Sequence, residues 1–265
     1  MTARIYTPQA LASGISISLP PAAARHVQVL RFQPGDALTL FNGQGDVEGE
    51  FNATIQTMGR SDVQVTVGDF VATQSGSGYV VHLAAGMPAN ERMDWLVEKA
   101  TELGVASIQP LMTERSVLRL SGERADKKRL HWQAVASAAC EQCGRNRVPV
   151  IHSPAHLNDW LKGSNMVNSF MNSSMNSSAA SAIEGTRLLL SLQAHTQTLA
   201  KTIDSAAKTN KTVTFLSGPE GGLSTLEENA ALANGYTPIS LGQRVLRSET
   251  APIACLSYLM LTGNQ

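Results

Sequence analysis

The sequence predicts an α/β fold in which a mainly parallel sheet follows a small N-terminal β domain. Three observations support this prediction. Apolar residues alternate with a period of two up to residue 70, strand and helix patterns alternate from residue 79 onwards, and glycine-rich loops follow two apolar runs near the C-terminus. A period of two is typical of half-buried strands. Alternation of strands and helices is typical of a parallel sheet with both faces covered.

Residues 1–72 are predicted to form a small β-barrel-like domain. The period-two runs lie at 15–19, 37–41, 51–55 and 63–67, with turn signals between them. An alanine-rich stretch at 21–30 predicts a short helix. Residues 73–78 are small and polar, as in a flexible linker. The second domain is therefore expected to span 79–265.

In the second domain the patterns indicate six strands, at 79–85, 105–111, 148–151, 187–192, 213–216 and 238–241. Helices are expected at 90–103, 121–141, near 157–161, near 196–207, from 224 to 234 and over 252–261. The 90–103 helix has one apolar face, and Ser224 with Glu227 forms a capping-box signature. Residues 163–184 are rich in Asn, Ser and Met and lack apolar periodicity, so we interpret them as a low-complexity surface insertion.

Composition excludes several classes of protein. The chain has 265 residues, with 21 Lys and Arg against 21 Asp and Glu, so any RNA-binding surface has to be a local cluster. No run approaches the roughly 18 apolar residues of a membrane span. The N-terminus lacks the basic-then-apolar plan of a signal peptide. We expect a cytoplasmic protein without a membrane partner.

Cysteine and histidine usage does not indicate a metal site. Three cysteines argue against a disulfide scaffold. Cys140 and Cys143 form a Cys-x-x-Cys, but no second pair stands at zinc spacing, and the six histidines show no ligand spacing. We interpret the two cysteines as neighbours on one helix face and expect no metal.

Two glycine loops near the C-terminus indicate one small-molecule pocket. They lie at 217–222 and 242–244, each after a predicted strand. At that edge of a parallel sheet the backbone of a glycine can approach a ligand closely. The first loop is neither a P-loop nor Gly-x-Gly-x-x-Gly. Its backbone groups and Glu220 suit an adenosine moiety or a cationic centre, which favours S-adenosylmethionine over ATP or NAD.

Two groups of charged residues are candidates for a substrate site. Arg244, Arg247 and Glu249 follow the second glycine loop, where either a structural salt bridge or a polar cleft explains them. Basic residues also concentrate between 114 and 147. Since arginine pairs with phosphates, this concentration suits a nucleic-acid surface, although a solvated helix face is the alternative for 124–129. Glu141, Gln142, Arg145 and Arg147 lie at a predicted helix end and are expected to reach a pocket.

Motifs over nearly the whole chain occur in the order of a known family. They are RIY (4–6), HVxVLR (26–31), GDxLxLF (35–41), NGxG (42–45), KATELGV (99–105), ERSV (114–117), ACEQCGRNRVP (139–149), GPEGGLS (218–224) and LGxRVLRxET (241–250). With them the chain resembles the RsmE group of SPOUT methyltransferases, which methylate N3 of a uridine in the 3′ region of 16S rRNA. Gln243 stands where proline is expected in that family.

The resemblance implies a PUA-like RNA-binding barrel, a C-terminal trefoil knot, S-adenosylmethionine as methyl donor and a homodimer. The expected cofactor contacts are Leu192, Gly218, Pro219, Glu220, Gly221, Gly222, Leu241, Gly242, Val245 and Leu246. Arg247 is expected to steady the substrate, with Glu249 or Glu141 as the base. The expected RNA contacts are Arg4, His26, Arg31, Arg115, Gln142, Arg145 and Arg147.

The resulting hypothesis is a methyltransferase that acts on uracil N3 of 16S rRNA in the assembled small subunit. N3 is paired in a duplex, so the target base has to be unpaired or flipped out. Two alternatives stay open at this point. One is a non-catalytic RNA-binding or ribosome-assembly factor, and the other is a SPOUT methyltransferase that acts on tRNA.

Overall fold

The computed structural model describes residues 2–44, 47–59, 62–73, 78–89, 91–170, 185–206 and 211–263. The chain divides into two compact units, Met1–Gly76 with Ala136–Val148, and Ser77–Val135 with Pro149–Gln265. The segment Ala136–Val148, which the sequence assigns to the second domain, thus belongs to the first unit. Residues 74–77 of the predicted linker lie outside the described residues. None of the described helices combines the length and apolar character that crossing a bilayer requires.

The first unit contains a five-stranded sheet in the order β1-β3-β4-β5-β2. Its strands are β1 (Arg4–Tyr6), β2 (Ser16–Ser18), β3 (Ala37–Phe41), β4 (Gly49–Met58) and β5 (Val63–Ala72). β1 and β3 are parallel, and the remaining pairs are antiparallel. All four period-two runs of the sequence are strands in the structure.

Helix α1 (Pro21–Val29) closes the core of the first unit. It begins with a proline in its first turn, where the missing N–H costs nothing. Ala23, Ala24 and Val27 are buried against the apolar residues of β3, β4 and β5. Arg31 follows the helix in a left-handed conformation, with φ 61°, at the position where glycine is common.

Arg4 links strand β1 to the segment Ala136–Val148. Its guanidinium forms an ion pair with Glu50, and Nη2 donates to Asn146 Oδ1 at 2.5 Å and to the Arg145 carbonyl at 3.3 Å. The guanidinium also lies 4.8 Å from the centroid of the Phe41 ring. A poorly hydrated charge requires such partners. These contacts help to explain why the first unit is made of two parts of the chain.

The second unit is a parallel α/β sheet in the order β11-β13-β10-β12-β6-β7-β8, with β9 also on β7. Every described pairing is parallel. The strands are β6 (Val80–Gly86), β7 (Ser107–Met112), β8 (Val150–Ile151), β9 (Ala155–His156), β10 (Thr186–Leu190), β11 (Gln197–Thr198), β12 (Thr212–Ser217) and β13 (Thr237–Ser240). The predicted parallel sheet is confirmed.

The helices of the chain largely match the sequence patterns. After α1 they are α2 (Arg92–Glu102), α3 (Gly122–Cys143), α4 (Leu157–Phe170), α5 (Leu199–Ala206), α6 (Thr225–Ala233) and α7 (Thr250–Thr262). The apolar face of α2 is buried, as its spacing predicts. The capping box of α6 is present: Ser224 Oγ accepts from the Glu227 amide, and the Glu227 carboxylate accepts from the Ser224 amide.

The segment predicted as a surface insertion begins in a helix. α4 continues to Phe170, so residues 163–170 of this low-complexity segment are helical. Residues 171–184 lie outside the described residues. No proline interrupts 157–170, so nothing in that stretch blocks the backbone hydrogen bonds of a helix. The absence of apolar periodicity was not a sufficient sign that the helix ends.

Gly163 offers a test of this helix. It lies inside α4, and a Cβ there would meet nothing within 4 Å. Gly163→Ala is therefore expected to raise the free energy of unfolding by roughly 0.5–1 kcal/mol, measured by urea denaturation. Gly104→Ala is the control, because Gly104 has equal space but φ +88°, so alanine should destabilise. Unchanged stability of Gly163→Ala would contradict a helix through this residue.

Candidate functional site

A cavity of about 620 Å³ lies at the carboxyl ends of β10, β12 and β13 in the second unit. Three loops supply most of its wall, at 190–193, 217–223 and 239–248 without residue 243. All ten residues predicted as cofactor contacts line it: Leu192, Gly218, Pro219, Glu220, Gly221, Gly222, Leu241, Gly242, Val245 and Leu246. Arg247 also lines the cavity, with its side chain exposed. The two glycine loops thus meet around one space.

Close backbone contacts explain the glycines of the first loop. A Cβ on Gly86, at the end of β6, would lie 2.6 Å from Pro219 Cδ and 2.7 Å from Pro219 N. A Cβ on Gly218 would lie 2.8 Å from the Gly222 carbonyl carbon. Gly222 has φ +68°, a conformation that strains other residues. The loop therefore requires glycine for two reasons, close packing and backbone conformation.

The Glu220 carboxylate is held by the segment that follows β6. Its Oε1 accepts from the Ala89 amide and from Arg92 Nη1, each at 3.0 Å. Partial burial alone would raise the pKa of Glu220, but the Ala89 hydrogen bond and the Arg92 charge outweigh it and hold that pKa below its ordinary value. Glu220 is thus a fixed anion at the mouth of the cavity.

Arg92 is a site residue that the sequence analysis missed. In addition to Glu220, its guanidinium approaches a second carboxylate, with Nε 3.9 Å from Glu249 Oε1. Glu249 is 8% exposed, and its Oε2 accepts from Ser248 Oγ at 3.1 Å. Arg92 thus lies between the glycine loop and the start of α7. Its position in the first turn of the helix that follows the carboxyl end of β6 is the sequence signal that could have found it.

Arg115, predicted as an RNA contact, packs against the first glycine loop. Its Nη1 donates to the Gly221 carbonyl at 2.8 Å, and a Cβ on Gly221 would lie 3.1 Å from Arg115 Cβ. The buried Glu227 holds the preceding residue, because its Oε1 accepts from the Glu114 amide at 2.7 Å. The capping-box glutamate of α6 thereby also positions the loop that carries Arg115.

Several polar groups face this cavity. Ser217 is 3% exposed, and its Oγ has no hydrogen-bond partner within the described part of the chain. Ser191 Oγ donates to Glu228 Oε2 at 3.2 Å and accepts from the Gln193 amide at 3.1 Å. A hydroxyl that is buried without a partner is costly. The cavity therefore suits a ligand that presents hydrogen-bonding groups.

Two of the predicted residues have internal partners in the first unit. Glu141, a candidate base, accepts from the Tyr6 amide at 2.8 Å through Oε1 and lies 3.1 Å from His26 Nδ1 through Oε2. Arg4, a candidate RNA contact, is engaged by Glu50 and Asn146. The structure gives both residues a role in holding the first unit together.

The other predicted RNA contacts of the first unit differ in exposure. Arg31, Gln142 and Arg147 are exposed, and Arg147 Nε lies 3.9 Å from Glu48. Burial lowers the pKa of Arg145, which is only partly accessible. His26 is half-buried beside Glu141. Arg31, Gln142 and Arg147 are therefore the predicted RNA contacts of the first unit that are exposed to solvent.

The Cys-x-x-Cys pair lies on α3, as expected. Cys140 is buried and Cys143 is exposed. Burial raises the pKa of the Cys140 thiol to about 12, so this group is a poor thiolate ligand. In the described ranges no three His, Cys, Asp or Glu side chains come together as a possible metal site.

Comparison with known proteins places this fold and site in a class. A family model described as the RNA methyltransferase domain matches residues 76–260, and one described as the RNA methyltransferase PUA domain matches residues 19–68. The chain belongs to the RNA methyltransferase domain family. The resemblance inferred from the sequence motifs is thereby confirmed.

Within this family the chain is similar to ribosomal RNA small subunit methyltransferase E. The protein of that name from Buchnera aphidicola subsp. Schizaphis graminum is 29% identical over 259 residues, which is 97% of this chain and 95% of that protein. The one from Neisseria gonorrhoeae, solved bound to S-adenosyl methionine, has a TM-score of 0.81 and 29% identity over 98% of both chains. A Legionella pneumophila protein described as a methyltransferase, solved in complex with SAM, has a TM-score of 0.83 and 34% identity over 98% of both chains.

The lowered pKa of Glu220 predicts a pH dependence of stability. Because its folded-state pKa lies below the unfolded value of about 4.3, ionised Glu220 stabilises the fold above about pH 5, and this contribution is lost as the pH falls through the folded pKa. Glu220→Gln is expected to be less stable than wild type at pH 7 and to approach the stability of wild type in acid, below the folded-state pKa, in urea titrations. Glu123→Gln, an exposed change on α3, is the control. A Glu220→Gln difference that is equal at both pH values would contradict the assignment.

Proposed function

We propose that this protein is an S-adenosylmethionine-dependent methyltransferase that acts on N3 of a uridine in the 3′ region of 16S rRNA. The observation that carries the proposal is the single cavity formed by both glycine loops, which all ten predicted cofactor residues line. The similar proteins from Neisseria gonorrhoeae and Legionella pneumophila, described with S-adenosyl methionine bound, support the same ligand.

The residues present fit this cofactor. The glycine loops offer backbone N–H and C=O groups to an adenosine moiety, and Ser217 Oγ has an unused hydrogen bond at the cavity wall. Glu220 and Glu228 place carboxylates at the same wall, which suits the positive sulfonium and ammonium groups. When bound, the cofactor supplies a methyl group that is already activated by the sulfonium charge.

The protein then has to position uracil and remove its N3 proton. We assign the base to Glu249, a buried residue that lies in sequence between Ser248 and Ala251, both of which line the cavity, although Glu249 itself does not. Glu141 is less suited, because its two oxygens already have partners in the first unit. Arg247 lines the cavity with an exposed side chain and is assigned to steady the developing uracil anion. Positioning and proton removal are the two requirements of this reaction.

The proposed substrate is the assembled small subunit. N3 lies on the Watson–Crick edge, so the base must be unpaired or flipped. Arg31, Gln142 and Arg147 are exposed in the first unit, and together with His26, Arg145 and Arg115 they are the proposed RNA contacts. Arg4 is left out because its guanidinium is held internally.

The proposed function also implies finer details of the domain architecture and the oligomeric state. We infer a PUA-like barrel in residues 1–72, a linker at 73–78, and a SPOUT domain from 79 with a trefoil knot at its C-terminal end. The strand order β13-β10-β12 supports the knot. After it leaves β12, the chain has to pass across β10 before it forms β13 on the other side. Half-buried apolar residues on α7 and the exposed Leu261 support a homodimer. A ribosomal substrate supports a cytoplasmic location, and the proposed chemistry needs no metal.

Gly222→Val tests the cofactor site. Valine at φ +68° distorts the loop, so the variant is expected to bind S-adenosylmethionine at least roughly ten-fold more weakly, measured by calorimetry. Gly14→Val is the matched control, because Gly14 also has positive φ and free space but lies in the first unit. Its affinity should equal that of wild type. No binding by wild type would favour a non-catalytic RNA-binding factor, and unchanged binding by Gly222→Val would reject the site.

Nucleoside mass spectrometry of rRNA tests the reaction. A strain that lacks the gene should lose a methyluridine modified at N3 from 16S rRNA, and wild type should restore it. Arg247→Ala and Glu249→Gln are each expected to lower kcat by roughly 10²-fold or more, with cofactor affinity retained. Glu141→Gln is the comparison and should keep kcat within a few-fold. A methyl group found on tRNA instead would show that the substrate is wrong.

A further inference from the structure

We propose that a second cavity, next to the cofactor cavity, binds a backbone phosphate of the RNA through Arg115 and Lys128. This inference rests on the proposed function and adds a substrate subsite to it. The cavity has a volume of about 890 Å³ and lies within the second unit. Its wall comes from residues 89, 91, 92 and 94, from residues 115 and 117, from residues 220 and 221, and from Lys128 on α3.

The second cavity lies at the same edge of the sheet as the cofactor cavity. Its three loops follow β6, β7 and β12, which are neighbours in the sheet. The cofactor cavity follows β10, β12 and β13. The two cavities share Arg92, Arg115, Glu220 and Gly221. They therefore lie side by side on the carboxyl edge of one sheet, where ligands of parallel sheets bind, and a substrate in the second cavity would lie beside the methyl donor.

The acids of this cavity are largely engaged by other partners. Glu220 is held by Ala89 and Arg92. Asp94 is paired through Oδ2 with His131 Nε2 at 2.7 Å, and its Oδ1 accepts from Trp132 Nε1 at 2.9 Å. Glu91 is the remaining acid on the wall and is exposed. Two of the three carboxylates, those of Glu220 and Asp94, therefore already have hydrogen-bond or ion-pair partners within the protein.

Two of the three cations on the wall, Arg115 and Lys128, are less fully paired than the third, Arg92, which approaches both Glu220 and Glu249. Arg115 uses Nη1 for a neutral carbonyl, that of Gly221, and no carboxylate partner is described for it. Lys128 has no ion-pair partner among the residues that the structure describes. Its neighbour Lys127, in contrast, is paired with Glu123 at 2.7 Å. An arginine fork and a lysine ammonium on one wall are the groups that bind phosphate.

A phosphodiester is the ligand that this arrangement fits. Protein contacts to phosphates fix the register of a nucleic acid, and a base taken out of its stack needs its backbone held beside the active site. A cavity of this volume is within the range of small-molecule sites, so it has room for a nucleotide. Arg115 and Lys128 would hold the phosphate next to the uridine that enters the cofactor cavity.

The test compares Lys128→Gln with Lys127→Gln. The affinity of each full-length variant for small ribosomal subunits that lack the methyl group is measured over a range of salt concentrations. Lys128→Gln is expected to weaken binding by about 3- to 10-fold and to reduce the slope of log K against log salt by about 0.7 to 1. Lys128→Arg should retain both. Lys127→Gln is the matched control, since it lies one residue away and outside the cavity, and should bind like wild type.

Calorimetry with S-adenosylmethionine separates this inference from the proposed function. Both lysine variants should bind the cofactor like wild type, because Lys128 does not line the cofactor cavity. Wild-type affinity and salt slope in Lys128→Gln, an equal loss in Lys127→Gln, or no subunit binding by wild type would each overturn the phosphate site. Loss of subunit affinity in Lys128→Gln alone, without cofactor binding in any variant, would support the phosphate site and reject the methyltransferase.

Discussion

The contact between Gly86 and Pro219 is the constraint on which the site of the second unit depends. β6 and β12 are parallel neighbours, with Ala85 opposite Ser217. The two strands therefore end at the same level of the sheet. No side chain fits between them, since a Cβ on Gly86 would lie within 2.7 Å of the Pro219 nitrogen. This closeness lets the Ala89 amide reach Glu220 and brings Arg92 to two carboxylates. One backbone contact thereby fixes the glycine loop and the charges around it.

Two glutamates show how surroundings assign roles to the same side chain. One oxygen of Glu141 accepts from a backbone amide, and the other lies beside a histidine ring. Both carboxylate oxygens of Glu141 therefore take part in contacts within the first unit. Glu249 is more deeply buried than Glu141, yet its described partners are the neighbouring Ser248 hydroxyl and an arginine at 3.9 Å. A carboxylate with so few hydrogen bonds has room for a further hydrogen bond from a substrate, which a carboxylate with both oxygens occupied lacks. Sequence position alone did not distinguish the two.

Much of the fold was predictable because its signals are local. The apolar face of α2, the capping box of α6 and the glycine loops each occupy a short stretch of sequence, and local patterns of this kind report secondary structure and turns. The resemblance in motifs then indicated which loops share a ligand. The residues that line the cavity come from separate motifs, and the parallel sheet brings them together.

What escaped the sequence analysis depends on contacts between distant residues. Arg92 and Glu220 are 128 positions apart, and Arg4 and Asn146 are 142 apart, so no periodicity or spacing connects them. Glu227 showed its capping role locally, but its bond to Glu114 spans 113 positions. The extension of α4 was missed for another reason, because polar residues form helices without an apolar stripe when no proline or cap stops them.

The two-part composition of the first unit has a consequence for synthesis. Strand β1 emerges from the ribosome early, but Arg145 and Asn146, which accept hydrogen bonds from Arg4, come after the whole stretch 77–135. At roughly 5–20 residues per second, several seconds pass before those acceptors exist. Of the Arg4 partners described above, only Glu50 and Phe41 precede that stretch in the sequence. The first unit is therefore complete only after Arg145 and Asn146 have been synthesised. A fragment that ends near residue 76 lacks these two hydrogen-bond acceptors for Arg4.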